Sequence, residues 1–198
     1  MQTIQTPRVQ PVEVGFTPIP TRIKDTPPLV VDTTESATKK QVVEHLSDLS
    51  LRLAQIHRTS AEGYLSQGMY AESLPHLDAA ATFAPANAEY HNQLGFVRYV
   101  LGDDAGAINA FRKALELQPN NADGWFNLGM VQYGQSRFAE AEESFRRSLE
   151  QQPNNPETWN NRGVTLHRLG RSNDSRACFQ RALQLDPSNA DAKANLGI

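Results

Sequence analysis

A repeat of 34 residues constrains the fold of this chain more than any other feature. When residues 122–155 are shifted by one period in either direction, similar residue types fall at the same offsets; Phe111, Phe145 and Phe179, for example, share one offset. Each unit reads as two short helices with a break between them and a proline at the end. A period of this length is typical of a solenoid, in which each unit buries its apolar face against its neighbours.

The order of residue types within the unit carries a family resemblance. Across the units the order is Trp, Leu-Gly, an aromatic residue, Ala, Phe, Ala and a closing Pro. This order resembles the tetratricopeptide repeat (TPR). The resemblance covers residues 54–189 without insertion or deletion, which predicts four repeats at 54–87, 88–121, 122–155 and 156–189. It implies an all-α, right-handed solenoid of helix-turn-helix repeats, and it is weakest in the first repeat, where His57, Ser60 and Ala61 replace Trp, Leu and Gly.

The turns and the end of the array follow from the same register. Gly68, Gly102 and Gly170 lie between the two helices of their repeats, where a residue with positive φ is often required, and Ser136 holds that place in the third repeat. Residues 190–198 are predicted to begin a fifth repeat or to form a truncated cap. Because this segment is short, we expect either that the chain continues beyond it or that a partner or second copy covers that end of the solenoid.

Residues 1–35 are predicted to form an extended, Pro-rich arm. Six of the 12 prolines fall there, and proline favours extended backbone without internal hydrogen bonds. The arm also carries regularly spaced apolar residues, which disordered linkers lack. Two interpretations remain open, a loose tail or an arm that orders when it docks on a partner or a neighbouring subunit. The residues expected to dock are Phe16, Ile19, Ile23, Leu29 and Val30.

The next segment is predicted to be a helix that begins near Ser36 and continues into the first repeat. Its apolar residues recur at spacings of four, three, four and three, as in a coiled coil of about two heptads; they are Val42, Leu46, Leu49, Leu53 and Ile56. One interpretation is that residues 36–53 pack on the first repeat and cap the solenoid. The alternative is a seam that pairs with another chain.

Composition excludes several classes of protein. The formal net charge of −3 and the pI of about 5.9 provide no basic surface for nucleic acid. The first residues lack the apolar core of a signal peptide, and no stretch approaches the length of a membrane-spanning helix. The single cysteine, Cys178, excludes an internal disulfide framework. We therefore expect a soluble, cytoplasmic protein.

The resemblance also implies where a partner binds. In TPR proteins the first helix of each repeat lines a concave groove, and five positions of each repeat face it. Carried over to this chain, these positions place aromatic and apolar residues in the middle of the groove, a surface typical of partner sites. The predicted groove residues are Asn92, Phe96, Tyr99, Phe126, Asn127, Met130, Tyr133, Asn160, Asn161, Val164, His167 and Arg168.

A row of side-chain amides accompanies the groove. Gln93, Asn127, Asn161 and Asn195 are 34 residues apart, and an amide both donates to and accepts from a peptide backbone. The row resembles the asparagine ladder in the TPR region of protein O-GlcNAc transferases. The alternative is that each amide satisfies local backbone. The lysines of the clamp by which some TPR proteins bind acidic chaperone tails are absent from the matching positions.

One charged residue departs from the family pattern. Arg162 stands where TPRs have a buried leucine. It predicts that the fourth repeat is loosely packed there, or that Arg162 meets an acid from residues 190–198 or from a partner.

No motif of an enzyme accompanies the repeats. The chain lacks a P-loop, GxGxxG, HExxH, CxxC and GxSxG, so no catalytic residue, metal ligand or cofactor is predicted, and Cys178 is interpreted as a packing residue. The sequence predicts a non-catalytic scaffold or assembly factor that binds a protein or peptide in its groove. Two alternatives remain: a structural subunit of a larger assembly or homo-oligomer, docked through its arm and solenoid ends, or the recognition domain of a longer enzyme such as a glycosyltransferase.

Overall fold

A computed structural model describes residues 35–197 of the 198-residue chain. The described residues form nine α-helices and no strand, which confirms the prediction of an all-α TPR solenoid for this part of the chain; the predicted arm lies outside it. The helices are α1 (Glu35–Leu65), α2 (Tyr70–Phe83), α3 (Ala88–Val100), α4 (Asp104–Leu117), α5 (Ala122–Gly134), α6 (Phe138–Gln151), α7 (Pro156–Arg168), α8 (Ser172–Leu185) and α9 (Ala190–Leu196). Of the described residues, 41–197 belong to one compact unit.

The helices of this unit pack in sequence order. Helices α3 and α4, α5 and α6, and α7 and α8 form antiparallel pairs, and the second helix of each pair packs on the first helix of the next. First helices of successive pairs also meet, since α3 contacts α5 and α7 contacts α9. Contacts between nearest neighbours thus hold the array together, as expected for a solenoid.

An asparagine caps each of the helices α3, α5, α7 and α9. The side-chain oxygens of these asparagines accept hydrogen bonds from backbone N–H groups two or three residues further on, at 2.8–3.3 Å. Such bonds satisfy donors that a helix start otherwise leaves unpaired. The capping residues are Asn87, Asn121, Asn155 and Asn189.

The Gly and Phe of the repeat are in direct contact. A Cβ built on Gly129 would lie 2.8 Å from the Phe145 ring, and the same construction gives 2.7 Å at Gly95 and 2.6 Å at Gly163, each against the phenylalanine 16 residues later. Only glycine allows the two helices to approach this closely. In the first pair, Ala61 and Leu77 occupy the matching positions, and both are buried.

Tryptophan links the α5–α6 and α7–α8 pairs to the loops before them. The indole N–H of Trp125 donates to the carbonyl of Pro119 at 2.8 Å, and that of Trp159 donates to the carbonyl of Pro153 at 2.8 Å. At the preceding junction the His91 ring lies 3.0 Å from the carbonyl of Pro85. The residue types at this offset therefore satisfy a loop carbonyl as well as packing against the helices.

Four turns between helices contain the predicted left-handed residue. Gly68, Gly102 and Gly170 have φ between 72° and 82°, and Ser136 has φ of 59°. A side chain in this region brings Cβ close to a carbonyl oxygen, which costs roughly 1–2 kcal/mol. Ser136 therefore carries strain that the three glycines avoid.

Replacing Ser136 by glycine should stabilise the protein. We expect Ser136→Gly to raise the free energy of unfolding by about 0.5–1 kcal/mol. Glycine removes the strain of the left-handed backbone, and this gain is larger than the stability lost because glycine makes the unfolded chain more flexible. Urea denaturation followed by circular dichroism would measure the change. Ser136→Ala is the matched control: it keeps the Cβ, so a gain equal to that of glycine would contradict the strain argument.

Arg162 has a partner inside the array, so the prediction of loose packing or of an acid from residues 190–198 or another protein is wrong. Its guanidinium donates to Glu142 of α6 at 2.7 Å and lies 5.8 Å from the Trp159 ring centroid. The Arg162 and Glu142 side chains are only 20% and 13% exposed. At the same offsets the preceding junction has Leu128 and Ile108, which share one apolar cluster. An ion pair thus replaces an apolar contact at this junction.

Candidate partner-binding site

The twelve predicted groove residues lie on three first helices. Helix α3 carries Asn92, Phe96 and Tyr99; α5 carries Phe126, Asn127, Met130 and Tyr133; and α7 carries Asn160, Asn161, Val164, His167 and Arg168. Because α3 contacts α5, at least these two helices present their residues on adjoining surfaces. The three helices differ in how much of this set they leave exposed.

The exposed apolar surface of the set is on α3. Phe96 is 42% exposed, and Val100, one turn further on, is 43% exposed. The Phe96 ring and the Tyr70 ring of α2 form an edge-to-face pair with the centroids 6.2 Å apart, a geometry favourable for aromatic pairs. Tyr99 is half-buried against the cluster that contains Phe111. Tyr70 was missed by the sequence analysis because it lies on a second helix, outside the positions that the resemblance implies.

The α5 residues are more deeply packed than predicted. Phe126 is half-buried, with its ring centroid 5.9 Å from that of the buried Phe145. Tyr133 packs against Phe138 with the ring centroids 5.3 Å apart, and its hydroxyl accepts a hydrogen bond from Arg168 at 3.2 Å. This bond brings together two predicted site residues from α5 and α7. Met130 is half-buried.

On α7, the prediction for Asn160 does not fit its surroundings. Asn160 is 7% exposed, and its side-chain oxygen accepts a hydrogen bond from the Asn195 amide at 3.0 Å. It therefore joins α7 to α9 and is closed to a ligand. Val164 is half-buried, and His167 and Arg168 are exposed in the last turn of α7.

The predicted row of amides is occupied at both ends. Gln93 donates to Glu89 at 3.0 Å, and Asn195 donates to Asn160 as described above. Within residues 35–197 the half-buried side-chain amides of Asn127 and Asn161 have no hydrogen-bond partner. The two middle members thus have both amide groups free of protein partners within this range, whereas the end members use their amide nitrogens within the array and the buried side-chain oxygen of Gln93 stays unpaired.

A second concave surface lies between α4, α5 and α6 and was not predicted. It is a cavity of about 660 Å³ with Leu115, Leu128 and Trp125 among its apolar walls. The buried Ser144 hydroxyl donates to Gln132 at 2.7 Å, and both residues line the cavity. No sequence signal distinguishes it, because Leu128 and Trp125 occupy ordinary repeat positions.

Charged side chains surround this cavity but are engaged with one another. The guanidinium of Arg147 lies 4.8 Å from the Trp125 ring centroid, within cation–π range. Hydrogen bonds from Arg146 and then Arg147 lower the pKa of the Glu143 carboxyl to about 2. These contacts stabilise the rim of the cavity, and they indicate no particular class of ligand.

Other chemistry has little support in the described part of the chain. Cys178 is buried, and burial raises the pKa of its thiol, which disfavours the reactive thiolate. Among residues 35–197 there is no group of three or more His, Cys, Asp or Glu side chains that could hold a metal ion. No helix of this range has both the length and the apolar character needed to cross a membrane.

Comparisons with known proteins agree with the fold. The sequence model of one family, described as Tetratricopeptide repeat, matches residues 58–122, 97–156, 126–190 and 160–198. These overlapping matches cover residues 58–198, well over half of the chain. No curated protein matches it.

Solved structures with the same fold have low sequence identity. YrrB, described as a TPR protein with an unusual peptide-binding site, is 20% identical with a TM-score of 0.68, over 82% of this chain and 89% of that one. MamA 41-end from Desulfovibrio magneticus RS-1 is 23% identical with a TM-score of 0.70, over 73% and 82%. The first TPR of Spaghetti (RPAP3), bound to the HSP90 peptide SRMEEVD, is 21% identical with a TM-score of 0.55, over 56% and 88%.

Proposed function

We propose that this chain, which belongs to the tetratricopeptide repeat family, is a non-catalytic scaffold that binds an extended or helical segment of a partner protein along α3, α5 and α7. The observation that carries the proposal is the exposed pair Phe96 and Val100 on α3. Large apolar side chains in solvent on a first helix suit an apolar anchor of a partner. Peptide binding in YrrB and in the first TPR of Spaghetti supports this use of the fold.

The anchor is proposed to extend from α3 toward α5. Phe96, Val100 and the accessible part of Tyr99 form its centre, and Met130 continues the apolar surface on α5. Within the predicted set the strongest contact is proposed on α3 and not on α5, because the Phe126 ring packs against Phe145. A partner side chain that covers Phe96 would remove apolar area from water, at about 25 cal/mol per Å².

Polar groups on α5 and α7 are proposed to hold the backbone of the bound segment. The amides of Asn127 and Asn161 each provide donors and an acceptor, and both are open within the described residues. At the far end, Arg168 and His167 in the last turn of α7 suit an acidic residue of the partner. Affinity for an isolated peptide is expected to be modest, since binding must order the segment.

The proposal is tested by removing the α3 anchor. A peptide selected for the wild-type chain from a random display library would be titrated by fluorescence anisotropy. We expect Phe96→Ser to raise its Kd at least about tenfold, corresponding to about 1.4 kcal/mol. Leu169→Ser is the matched control, because Leu169 is 38% exposed in the turn after α7 and lies outside the proposed contact. Equal affinity of wild type and Phe96→Ser would rule out the α3 anchor.

A second candidate function is a structural subunit docked through its arm and the end of the solenoid. It is favoured by a cavity of about 550 Å³ beside α8 and α9, lined by Arg176, Gln180, Leu183, Gln184 and Leu196. Purification of the wild-type chain and of a chain lacking residues 1–34 from the native source would separate the two candidates. The Phe96→Ser variant would be purified in the same way. Partners that are lost from the chain lacking residues 1–34 but retained by Phe96→Ser would favour the structural subunit.

A further inference from the structure

Exposed apolar side chains are concentrated on one stretch of α1. Of the eleven large hydrophobic residues that are exposed in the described part of the chain, seven lie between residues 42 and 56. Five of them have coiled-coil spacing and are called the α1 seam here: Val42 (53% exposed), Leu46 (57%), Leu49 (42%), Leu53 (40%) and Ile56 (60%). An apolar stripe in water on one helix usually marks an interaction surface.

The first helix pair does not cover the α1 seam. Helix α1 packs on α2 through Ala54 and Ala61, which are buried in the same cluster as Leu77. With 100° of rotation per residue, these alanines point about a third of a turn away from the seam. The contact that holds α1 to the array and the seam are therefore separate surfaces, and covering the seam requires another element.

We propose that the α1 seam is an interface between copies of this chain, which associate through α1 as a short coiled coil. The spacing carries this choice of partner. Apolar residues at an average of 3.5 residues return to the same side of a supercoiled helix, so their natural complement is a second helix with the same spacing. Each copy of the chain supplies one such helix, and every layer of the pairing is aliphatic.

The residues beside the seam are compatible with pairing of identical helices. In a parallel arrangement His45 faces Ser50 of the other copy, and Arg52 faces His57. Arg52 already forms a salt bridge with Asp48 of its own helix at 2.9 Å, so its charge is partly balanced. No carboxylate opposes another at these positions.

The size of the seam predicts the strength of the association. Covering five half-exposed aliphatic side chains on each of two copies buries on the order of 1,000 Å² in total, the lower limit for a specific interface. The association is therefore weak and depends on concentration. Leucine at the first heptad position, Leu46 and Leu53, with β-branched Val42 and Ile56 at the fourth, also favours bundles of more than two helices.

Helix stability provides a second reason for pairing. Residues 41–49 are exposed at every position, and about three turns of helix without packing are marginal in water. Pairing would remove the seam from water and stabilise this part of α1. The Phe96 surface lies on α3 and is not used, so the proposal stands or falls independently of the proposed function.

The test is the molar mass of the full chain in solution. Light scattering after size exclusion, from micromolar to several hundred micromolar protein, should show the mass rising from 22.0 kDa to at least twice that value. The double variant Leu46→Lys/Leu53→Lys should stay monomeric over the whole range. A wild-type chain that is monomeric throughout, or a variant that associates as wild type does, would overturn the proposal.

Two controls make the result specific to the seam. Leu101→Lys/Leu169→Lys adds the same charge at two leucines that are 43% and 38% exposed away from α1, and it should associate as wild type does. Leu49→Cys, at the centre of the seam, should form an intermolecular disulfide with an added thiol oxidant, since Cys178 is buried; Leu169→Cys should not. Equal cross-linking of the two cysteine variants would also overturn the proposal.

Discussion

Gly129→Ala is expected to lower the free energy of unfolding by about 2–3 kcal/mol, at the upper end of the cost of overpacking a core. The added Cβ would lie 2.8 Å from the Phe145 ring. Phe145 is 1% exposed and its ring also lies against that of Phe126, with the centroids 5.9 Å apart, so a shift of the ring would disturb other buried contacts. Urea denaturation would measure the loss, and circular dichroism would confirm that the helices remain.

The first helix pair supplies the compensating change. There Ala61 faces the position of Leu77, and both are buried, so the chain already contains the Ala–Leu combination. We expect Gly129→Ala/Phe145→Leu to cost clearly less than the sum of the two single substitutions. Gly63→Ala is the control, because its Cβ would meet nothing within 4 Å and alanine favours the helix by roughly 0.5–1 kcal/mol. The contact between Gly129 and Phe145 would be contradicted if the costs of the two single substitutions simply added, or if Gly129→Ala left the free energy of unfolding unchanged.

The second large effect concerns the ion pair between α6 and α7. Glu142→Ile alone is expected to lower the free energy of unfolding by about 2–3 kcal/mol, since it leaves the largely buried Arg162 without its carboxylate. Glu142→Ile/Arg162→Leu should recover that loss to within about 1 kcal/mol of wild type, because a well-packed apolar pair replaces a buried ion pair at little cost. The double variant reproduces the Ile108 and Leu128 of the junction before it.

A double-mutant cycle would measure this coupling. The singles Glu142→Ile and Arg162→Leu, the double variant and the wild type would be compared by urea denaturation. Asp78→Ala is the reference for an exposed pair: Asp78 bonds Arg98 at 2.8 Å across the first junction but is 47% exposed, and its loss should cost less than about 1 kcal/mol. If the double variant is as unstable as the singles, the apolar substitute does not fit this junction.

The sequence predicted the repeated architecture because each repeat position has one physical role. Gly129 and Phe145 recur together because a ring fills the space that the missing Cβ leaves, and a pattern of types is enough to reveal such a contact. The left-handed residue was likewise predictable at Ser136, since its place in the register is that of Gly102. Contacts made in the same way by every repeat are visible in the sequence.

Contacts that occur in only one repeat of the array were not predictable from the sequence. Arg162 was misread because its partner, Glu142, lies 20 residues earlier on a helix of the preceding pair, and neither residue follows the repeat. Asn160 was placed in the groove by its position, but its bond to Asn195 depends on α9. Phe96 is exposed and Phe126 half-buried because their neighbours differ, although both belong to the set implied by the resemblance.

The hydrogen bond from each tryptophan indole to the proline carbonyl before it bears on how the molecule loses its structure. The α5–α6 pair can leave only by giving up such a bond on both of its sides, together with the packing there, whereas the α7–α8 pair gives up one. In a nearest-neighbour description of the array, disorder therefore begins at an end and advances inward by one 34-residue step at a time. We therefore expect the middle of the array, which includes α3 and its proposed anchor, to open last, so that the helices that bind a partner are also those that resist unfolding.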